Sequence, residues 1–207
     1  MGDVVGEPAT DADLVVASLD DPQEFGKLFD RHGLAVHRYV ASRAGRADVD
    51  DLVSETFVTA FRARARYDRK YPNARPWLLG IATNVLRHHY RSEHRRLGRL
   101  GSVHRTPEVA VDLSESVAAA VDGASETDHI AEALDRLDDR YREVLLLVAS
   151  TDLTYEEIAR ALGVPIGTVR SRLARGRRRL RELLLSGGQY EMNAHNAIPA
   201  PKGLSND

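Results

Sequence analysis

The sequence contains no cysteine, and this absence excludes disulfide bridges and thiolate metal sites. Glycine and proline are scarce, at 15 and 8 of 207 residues, and alternating β-branched runs are few, so strands are not expected. No apolar run approaches the roughly 20 residues that a membrane-spanning helix needs. The N-terminus is acidic and lacks the pattern of a signal peptide. The composition therefore predicts a soluble, cytoplasmic, all-helical protein.

The net charge of −2 conceals a strong segregation of charge along the chain. Residues 87–105 hold six arginines and one glutamate, whereas residues 106–139 hold ten acids and one arginine. Seven arginines lie between Arg170 and Arg181, with no acid among them. A face of one sign repels itself unless a polyanion screens it. The two basic stretches therefore predict contacts with nucleic acid.

Residues 154–181 carry the pattern of two helices joined by a tight turn. Thr154 and Glu157 form the capping box that starts a helix, and Gly163 supplies the left-handed residue that ends it. Pro165 suits the first turn of the next helix, where its missing N–H is not needed. The second helix has the size and charge to lie in a DNA major groove, so the segment is interpreted as a helix-turn-helix. The alternative is an ordinary helical hairpin with a solvated basic face.

Helical periodicity and composition divide the chain into five segments. We expect an all-α fold of two small helical domains joined by a flexible acidic linker, with the helix-turn-helix in the second domain. A frayed acidic arm is expected before the first domain, and a disordered tail after the second. The boundaries are residues 1–20 for the arm, 21–100 for the first domain, 101–127 for the linker, 128–185 for the second domain and 186–207 for the tail.

A polar ridge is expected on the last helix of the first domain, which opens at Pro76. Its asparagine and arginines recur three or four residues apart and so share one side of the helix. Asparagine can bond a base edge, and arginine neutralises phosphate or stacks on a base. Three tyrosines near this helix are suited to stacking on unpaired bases, whereas Trp77 is favoured as a core anchor. The ridge consists of Asn84, Arg87, Arg91 and Arg95, and the tyrosines are Tyr67, Tyr71 and Tyr90.

No catalytic motif is present: the sequence has no Gly-rich phosphate loop, nucleophile elbow or HExxH. His88, His89 and His94 do not predict a metal site, since adjacent histidines on a helix diverge. No cofactor, metal or catalytic residue is expected. Two other readings stay open at this point. One is a dimeric, stand-alone helix-turn-helix regulator; the other is a DNA-processing enzyme with a targeting domain, for which the aspartates near residue 50 are the only candidates.

Five motifs cover roughly residues 22–100 and 128–185. They are FGKLFDRHGLAVHRYV, DVDDLVSETFVTAFR, RPWLLGIATNVLRHHYR, LDRLDDRYREVLLLV and LTYEEIARALGVPIGTVRSRLARGRRRLRELL. Together they resemble the extracytoplasmic-function class of bacterial RNA polymerase sigma factors, in its two-domain form. The resemblance implies a protein that binds core RNA polymerase, directs it to promoters and assists promoter melting.

The same resemblance implies a role for particular residues. Docking on the clamp helices of the largest polymerase subunit is implied for Asp51, Leu52, Glu55 and Phe57, flanked by Val58 and Arg62. Contact with the minus-10 promoter element is implied for Asn84, Arg87, His88 and Arg91. Contact with the minus-35 element is implied for Thr168, Arg170, Ser171, Arg172, Arg175 and Arg178. The family is commonly held inactive by an anti-sigma protein, so such a partner is expected, although no motif identifies it.

Overall fold

The computed structural model describes residues 9–100 and 123–195. Within these two ranges every regular element is helical, which confirms the expected all-α fold. The first domain contains α1 to α4 and the second contains α5 to α8. The α-helices are α1 Asp11–Asp20, α2 Gly26–Ala41, α3 Val49–Ala63, α4 Arg75–Leu100, α5 Gly123–Asp135, α6 Asp139–Ser150, α7 Tyr155–Leu162 and α8 Ile166–His195.

Helix α1 occupies the second half of the frayed arm that was expected over residues 1–20. Thr10 begins it with a capping box, in which its Oγ1 accepts from the Asp13 backbone N–H at 3.2 Å. Leu14 and Val15 are buried against the first domain. The expectation of an arm is thus wrong from Asp11 onward, because burial of an apolar face offsets the cost of ordering an acidic segment. Residues 1–8 of the expected arm lie outside the described residues.

Asp11 fastens α1 to the rest of the first domain. Its carboxylate accepts from Arg31 Nη1 at 3.0 Å and from the Ala74 backbone N–H at 2.8 Å, and it lies 2.7 Å from His32 Nε2. Burial by itself would raise the pKa of Asp11. The hydrogen bonds from His32, Ala74 and Arg31 outweigh that effect and lower the pKa to about 2. The side chain therefore joins α1 to α2 and to the start of α4.

The core of the first domain lies among α2, α3 and α4. Apolar residues at helical spacing supply it, as the periodicity predicted. Phe29 is an exception, since it fits the apolar spacing of α2 but is 50% exposed. The buried residues include Leu28, Val36, Tyr39 and Val40 of α2, Leu52, Val53, Phe57 and Ala60 of α3, and Leu78, Leu79, Ala82 and Leu86 of α4.

The second domain contains the helix-turn-helix that the sequence predicted. Thr154 and Glu157 form the capping box at the start of α7, and Gly163 ends that helix with φ of 64°. Pro165 directly precedes α8. Arg142 of α6 donates to the carbonyl oxygens of Leu134, Asp135 and Leu137 and so caps the end of α5. Apolar contacts from all four helices form the core, with Leu134, Val144, Leu147, Ile158, Val169 and Leu173 buried.

Two predicted boundaries differ from the structure. Helix α5 begins at Gly123, inside the expected linker over 101–127, and α8 continues to His195, inside the expected tail over 186–207. An existing helix extends readily, since each added residue gains one backbone hydrogen bond without a new nucleation cost. The remainder of the linker, 101–122, and of the tail, 196–207, lies outside the described residues.

Candidate polymerase and promoter interfaces

One side of α3 presents acids to solvent. Asp51, Glu55 and Val58 are exposed and follow one another at i, i+4 and i+7, so they form a single stripe along the helix. Leu52 and Phe57 were expected to share this docking surface, but they are only 3% and 8% exposed. That expectation is corrected: both side chains point into the core and cannot contact a partner directly. The packing of Leu52 and Phe57 in the core fixes the position of α3 and of the stripe that it carries.

Phe29 contributes an apolar surface that sequence reasoning missed. Its ring lies edge-on to Phe57 of α3, with 4.9 Å between the ring centroids. The ring also covers Gly33, because a Cβ built there would lie 3.6 Å from it. The apolar spacing of α2 gave no signal of this exposure, because Phe29 fits that spacing. The buried Phe57 thus packs against the inner side of the exposed Phe29 ring.

The four residues of α4 that were expected to contact the minus-10 element differ in exposure. Asn84, His88 and Arg91 are exposed, whereas Arg87 is half-buried. Arg87, however, forms a bidentate ion pair with Glu143 of α6, with Nε–Oε1 and Nη2–Oε2 distances of 2.5 Å. Its Nη1 also donates to Asn84 Oδ1 at 3.0 Å. The hydrogen bond to Glu143 raises the pKa of Arg87 above its ordinary value. The expectation of Arg87 as a free DNA contact is therefore corrected: the second domain holds it.

Two of the three tyrosines considered for base stacking, together with Trp77, lie mostly inside the domain. Tyr67 is 8% exposed and donates its hydroxyl to the Tyr71 carbonyl at 2.6 Å. Trp77 packs edge-on to Tyr67 with 5.0 Å between centroids, in agreement with a structural role. Burial raises the pKa of Tyr90 to about 12. Tyr71 is half-buried, and the guanidinium of Arg160 from α7 lies 4.1 Å from the centroid of its ring.

Tyr67, Tyr71 and Trp77 line a cleft of about 190 Å³ between the two domains. Most of its lining comes from the loop before α4 and the first turn of that helix. One side is closed by α7 through Arg160. The lining residues are Arg66, Tyr67, Asp68, Tyr71, Asn73, Pro76, Trp77 and Arg160.

The solvent face of α8 is basic. Four of the six residues expected to contact the minus-35 element are exposed, namely Arg170, Ser171, Arg175 and Arg178, while Thr168 and Arg172 are half-buried. Their apolar neighbours Val169 and Leu173 are buried, so the helix is amphipathic as predicted.

Farther along α8 this face joins a second basic surface. Arg175 and Arg178 line a cleft of about 410 Å³ together with Arg136 from the end of α5 and Arg179. Glu182 lies 3.9 Å from Arg178 Nε and 3.0 Å from Arg179 Nη1, so it lowers the positive charge at this end. Sequence reasoning missed Arg136, because its approach to α8 depends on the packing of distant segments.

Comparisons with known proteins match both domains. The sequence profile of sigma-70 region 2 matches residues 28–96, and that of sigma-70 region 4 matches residues 128–180. The sigma factor CnrH of Cupriavidus metallidurans is 33% identical over 186 residues, which are 84% of this chain and 95% of CnrH. HrpL of Pseudomonas syringae pv. syringae is 34% identical over 148 residues, 70% of this chain and 78% of HrpL.

A solved structure of CnrH in complex with the cytosolic domain of CnrY has the same fold. Its TM-score is 0.59 at 29% sequence identity, and the match covers 85% of this chain and 97% of that one. The chain therefore belongs to the sigma-70 family, with region 2 in the first domain and region 4 in the second. Its relatives include the ECF sigma factor BldN of Streptomyces coelicolor, 31% identical over 86% of this chain and 69% of BldN. The protein is an extracytoplasmic-function RNA polymerase sigma factor, a transcription initiation factor that directs polymerase to promoters.

None of the helices in residues 9–100 and 123–195 is long and apolar enough to cross a membrane.

Proposed function

We propose that the α3 stripe of Asp51, Glu55 and Val58, extended by Phe29, is the surface that binds core polymerase at the clamp helices of its largest subunit. An exposed apolar centre beside acidic residues suits a specific protein interface, because apolar burial supplies affinity and charge supplies orientation. The observation that carries the proposal is the exposure of this stripe on a helix whose opposite side is fully buried.

The two DNA contacts are assigned to separate helices. Asn84, His88 and Arg91 of α4 would contact the minus-10 element and help to hold the open strand. The basic face of α8 would lie in the major groove at the minus-35 element, with Arg170 and Arg175 toward the bases. Joining two modest contacts in one chain raises the affinity of the whole. The protein itself performs no covalent chemistry in this proposal, and it acts in the cytoplasm, where core polymerase works.

A stand-alone helix-turn-helix regulator is the alternative function, and it is less well supported. It would leave the first domain and its acidic stripe without a role, whereas the sigma-70 profiles account for both domains.

An anti-sigma protein is proposed as a further partner. CnrH, which shares this fold, was solved in complex with the cytosolic domain of CnrY. The likeness supports a comparable protein partner for this chain, and it does not identify the partner.

The proposal is tested by core-polymerase binding and run-off transcription from a promoter library. Replacing Asp51 and Glu55 together with alanine should weaken polymerase binding by about 1–3 kcal/mol, as expected when charged groups are lost from an interface. The matched control replaces Glu132 and Glu156, two exposed acids of the second domain, and removes the same charge elsewhere. Equal binding by both double variants, with the fold intact by circular dichroism, would reject the α3 surface. A well-folded wild type that starts no transcript would reject the function itself.

A further inference from the structure

We propose that Asp11 is a positioning residue for the minus-10 contact: it holds the loop of residues 67–74, and with it the first turn of α4, in the conformation that binds the open strand. This inference rests on the proposed function of α4. Helix α1, which carries Asp11, precedes residues 28–96, the part of the chain that the sigma-70 region 2 profile matches. The family match therefore assigns α1 no role.

Asp11 contacts the loop through both its main chain and its side chain. Its backbone N–H donates to the Pro72 carbonyl at 3.0 Å, and its Oδ2 accepts from the Ala74 backbone N–H at 2.8 Å. Ala74 is fully buried, and its carbonyl accepts from the Leu78 N–H in the first turn of α4. The Ala74 N–H is therefore one of the donors that a helix start leaves without an intrahelical partner, and a residue 63 positions away satisfies it.

Two groups of α2 keep the Asp11 carboxylate turned toward the loop. Arg31 Nη1 donates to Oδ1 at 3.0 Å, and His32 Nε2 lies 2.7 Å from Oδ2. Asp11 is buried, and α2 supplies much of the core of the first domain. The carboxylate therefore has one orientation, fixed by α2 on one side and bonded to the loop on the other.

The loop that Asp11 holds has the composition of a contact for single-stranded nucleic acid. Arg69 and Lys70 are exposed cations, and the half-buried Tyr71 lines the cleft of about 190 Å³. Surfaces that bind single strands combine cations that follow the phosphates with aromatic rings that stack on bases. Tyr67 donates its hydroxyl to the Tyr71 carbonyl at 2.6 Å, so the loop is bonded to itself and its position depends on where its ends are held. Asp11 holds the end that joins α4.

The experiment replaces Asp11 with asparagine in the full-length chain. Asparagine keeps the size of the side chain but has an amide in place of one carboxylate oxygen, so it cannot accept from all three donors. Trp77, the only tryptophan of the sequence, lies edge-on to Tyr67 and so reports on the loop. We expect its emission to shift to longer wavelength while the far-UV circular dichroism stays unchanged. In complex with core polymerase, affinity for a single-stranded minus-10 oligonucleotide should fall roughly tenfold if the binding conformation falls to about one chain in ten.

Two measurements separate positioning from a general loss of stability. Affinity for a minus-35 duplex should stay unchanged in Asp11→Asn, because α8 belongs to the other domain. The matched control is Val15→Ala, which removes buried methyl groups from the same helix and leaves every hydrogen bond of Asp11 in place. Val15→Ala should lower the free energy of unfolding without changing the emission of Trp77 or the affinity for the oligonucleotide.

A second variant, Arg31→Met, protects the test against a folding defect in Asp11→Asn. Arg31 is exposed, so the change removes one donor to the carboxylate and leaves the core intact, and it should produce the same two effects to a smaller extent. Wild-type emission and affinity in folded Asp11→Asn, or in Arg31→Met if Asp11→Asn does not fold, would overturn the proposal. An equal loss of affinity in Val15→Ala would overturn it too. If the wild-type complex did not bind the oligonucleotide, the proposed function of α4 would fail, whereas a shift of Trp77 emission confined to the Asp11 and Arg31 variants would still support the hold of Asp11 on the loop.

Discussion

Replacing Asp11 with asparagine tests how an acidic segment at the start of the first domain becomes an ordered helix. The carboxylate of Asp11 accepts hydrogen bonds from Arg31 and the Ala74 backbone and contacts His32, which together join α1 to the domain. The substitution keeps the size of the side chain and removes the negative charge that all three groups face. We expect α1 to be held less tightly and the first domain to lose stability.

The size of the expected stability loss follows from the pKa of the Asp11 carboxyl group. Its pKa falls from an ordinary 3.8 in the unfolded chain to about 2 in the folded protein. At about 1.4 kcal/mol for each pKa unit, the ionised group contributes about 2 kcal/mol to the free energy of unfolding. Because the folded pKa is the lower one, this contribution is present above about pH 4. It disappears as the pH falls through the range from about 4 to about 2.

Urea unfolding of wild type and Asp11→Asn from pH 7 to pH 3 measures this effect. The two proteins should differ by about 2 kcal/mol at pH 7, and the difference should shrink toward pH 3. Asp20→Asn, at the exposed far end of the same helix, is the control and should change stability by less than about 0.5 kcal/mol. A loss in Asp11→Asn that is equally large at both pH values would refute the argument, since the charge would then not be its source.

Two further predictions concern the helix-turn-helix. Gly163→Ala should cost about 1–2 kcal/mol in thermal unfolding, because φ of 64° strains a residue with a Cβ. Gly167→Ala, where a Cβ also meets nothing within 4 Å but no positive φ is required, should be neutral or stabilising, and an equal loss there would contradict the argument. Arg175→Ala should weaken binding to a cognate minus-35 duplex by about 1–3 kcal/mol in a fluorescence titration. An equal loss on scrambled DNA would assign Arg175 to phosphate rather than to a base.

Local features of the second domain were predictable because their causes lie within a few residues of one another. The hydrogen bonds between Thr154 and Glu157 span three positions, and the left-handed turn depends on Gly163 alone. The amphipathic pattern of α8 likewise specifies which side is buried without reference to the rest of the fold. The order of the sequence motifs could likewise be recognised without the structure, and it indicated the family.

The candidate sites were only partly predictable. Periodicity identified α3 and α4 as helices with polar sides, and Asp51, Glu55, Asn84 and Arg91 are exposed as expected. Leu52 and Phe57 were assigned by motif position, which does not distinguish a side chain that contacts a partner from one that supports it. Phe29 fits the apolar spacing of α2 but is half-exposed. The helices that pack against α2 determine how much of its apolar side is buried, and the spacing does not show this.

By itself the sequence determined the helical class, the helix-turn-helix and the two basic surfaces, since these follow from spacing, capping and charge along short stretches of chain. Only the tertiary structure decided that residues 11–20 are ordered, that Gly80 meets the backbone of α7 and that Arg87 is held by Glu143, 56 residues away. The physical reason is that burial and ion pairing depend on which distant residues meet. That outcome depends on the packing of whole helices, and no local pattern specifies it.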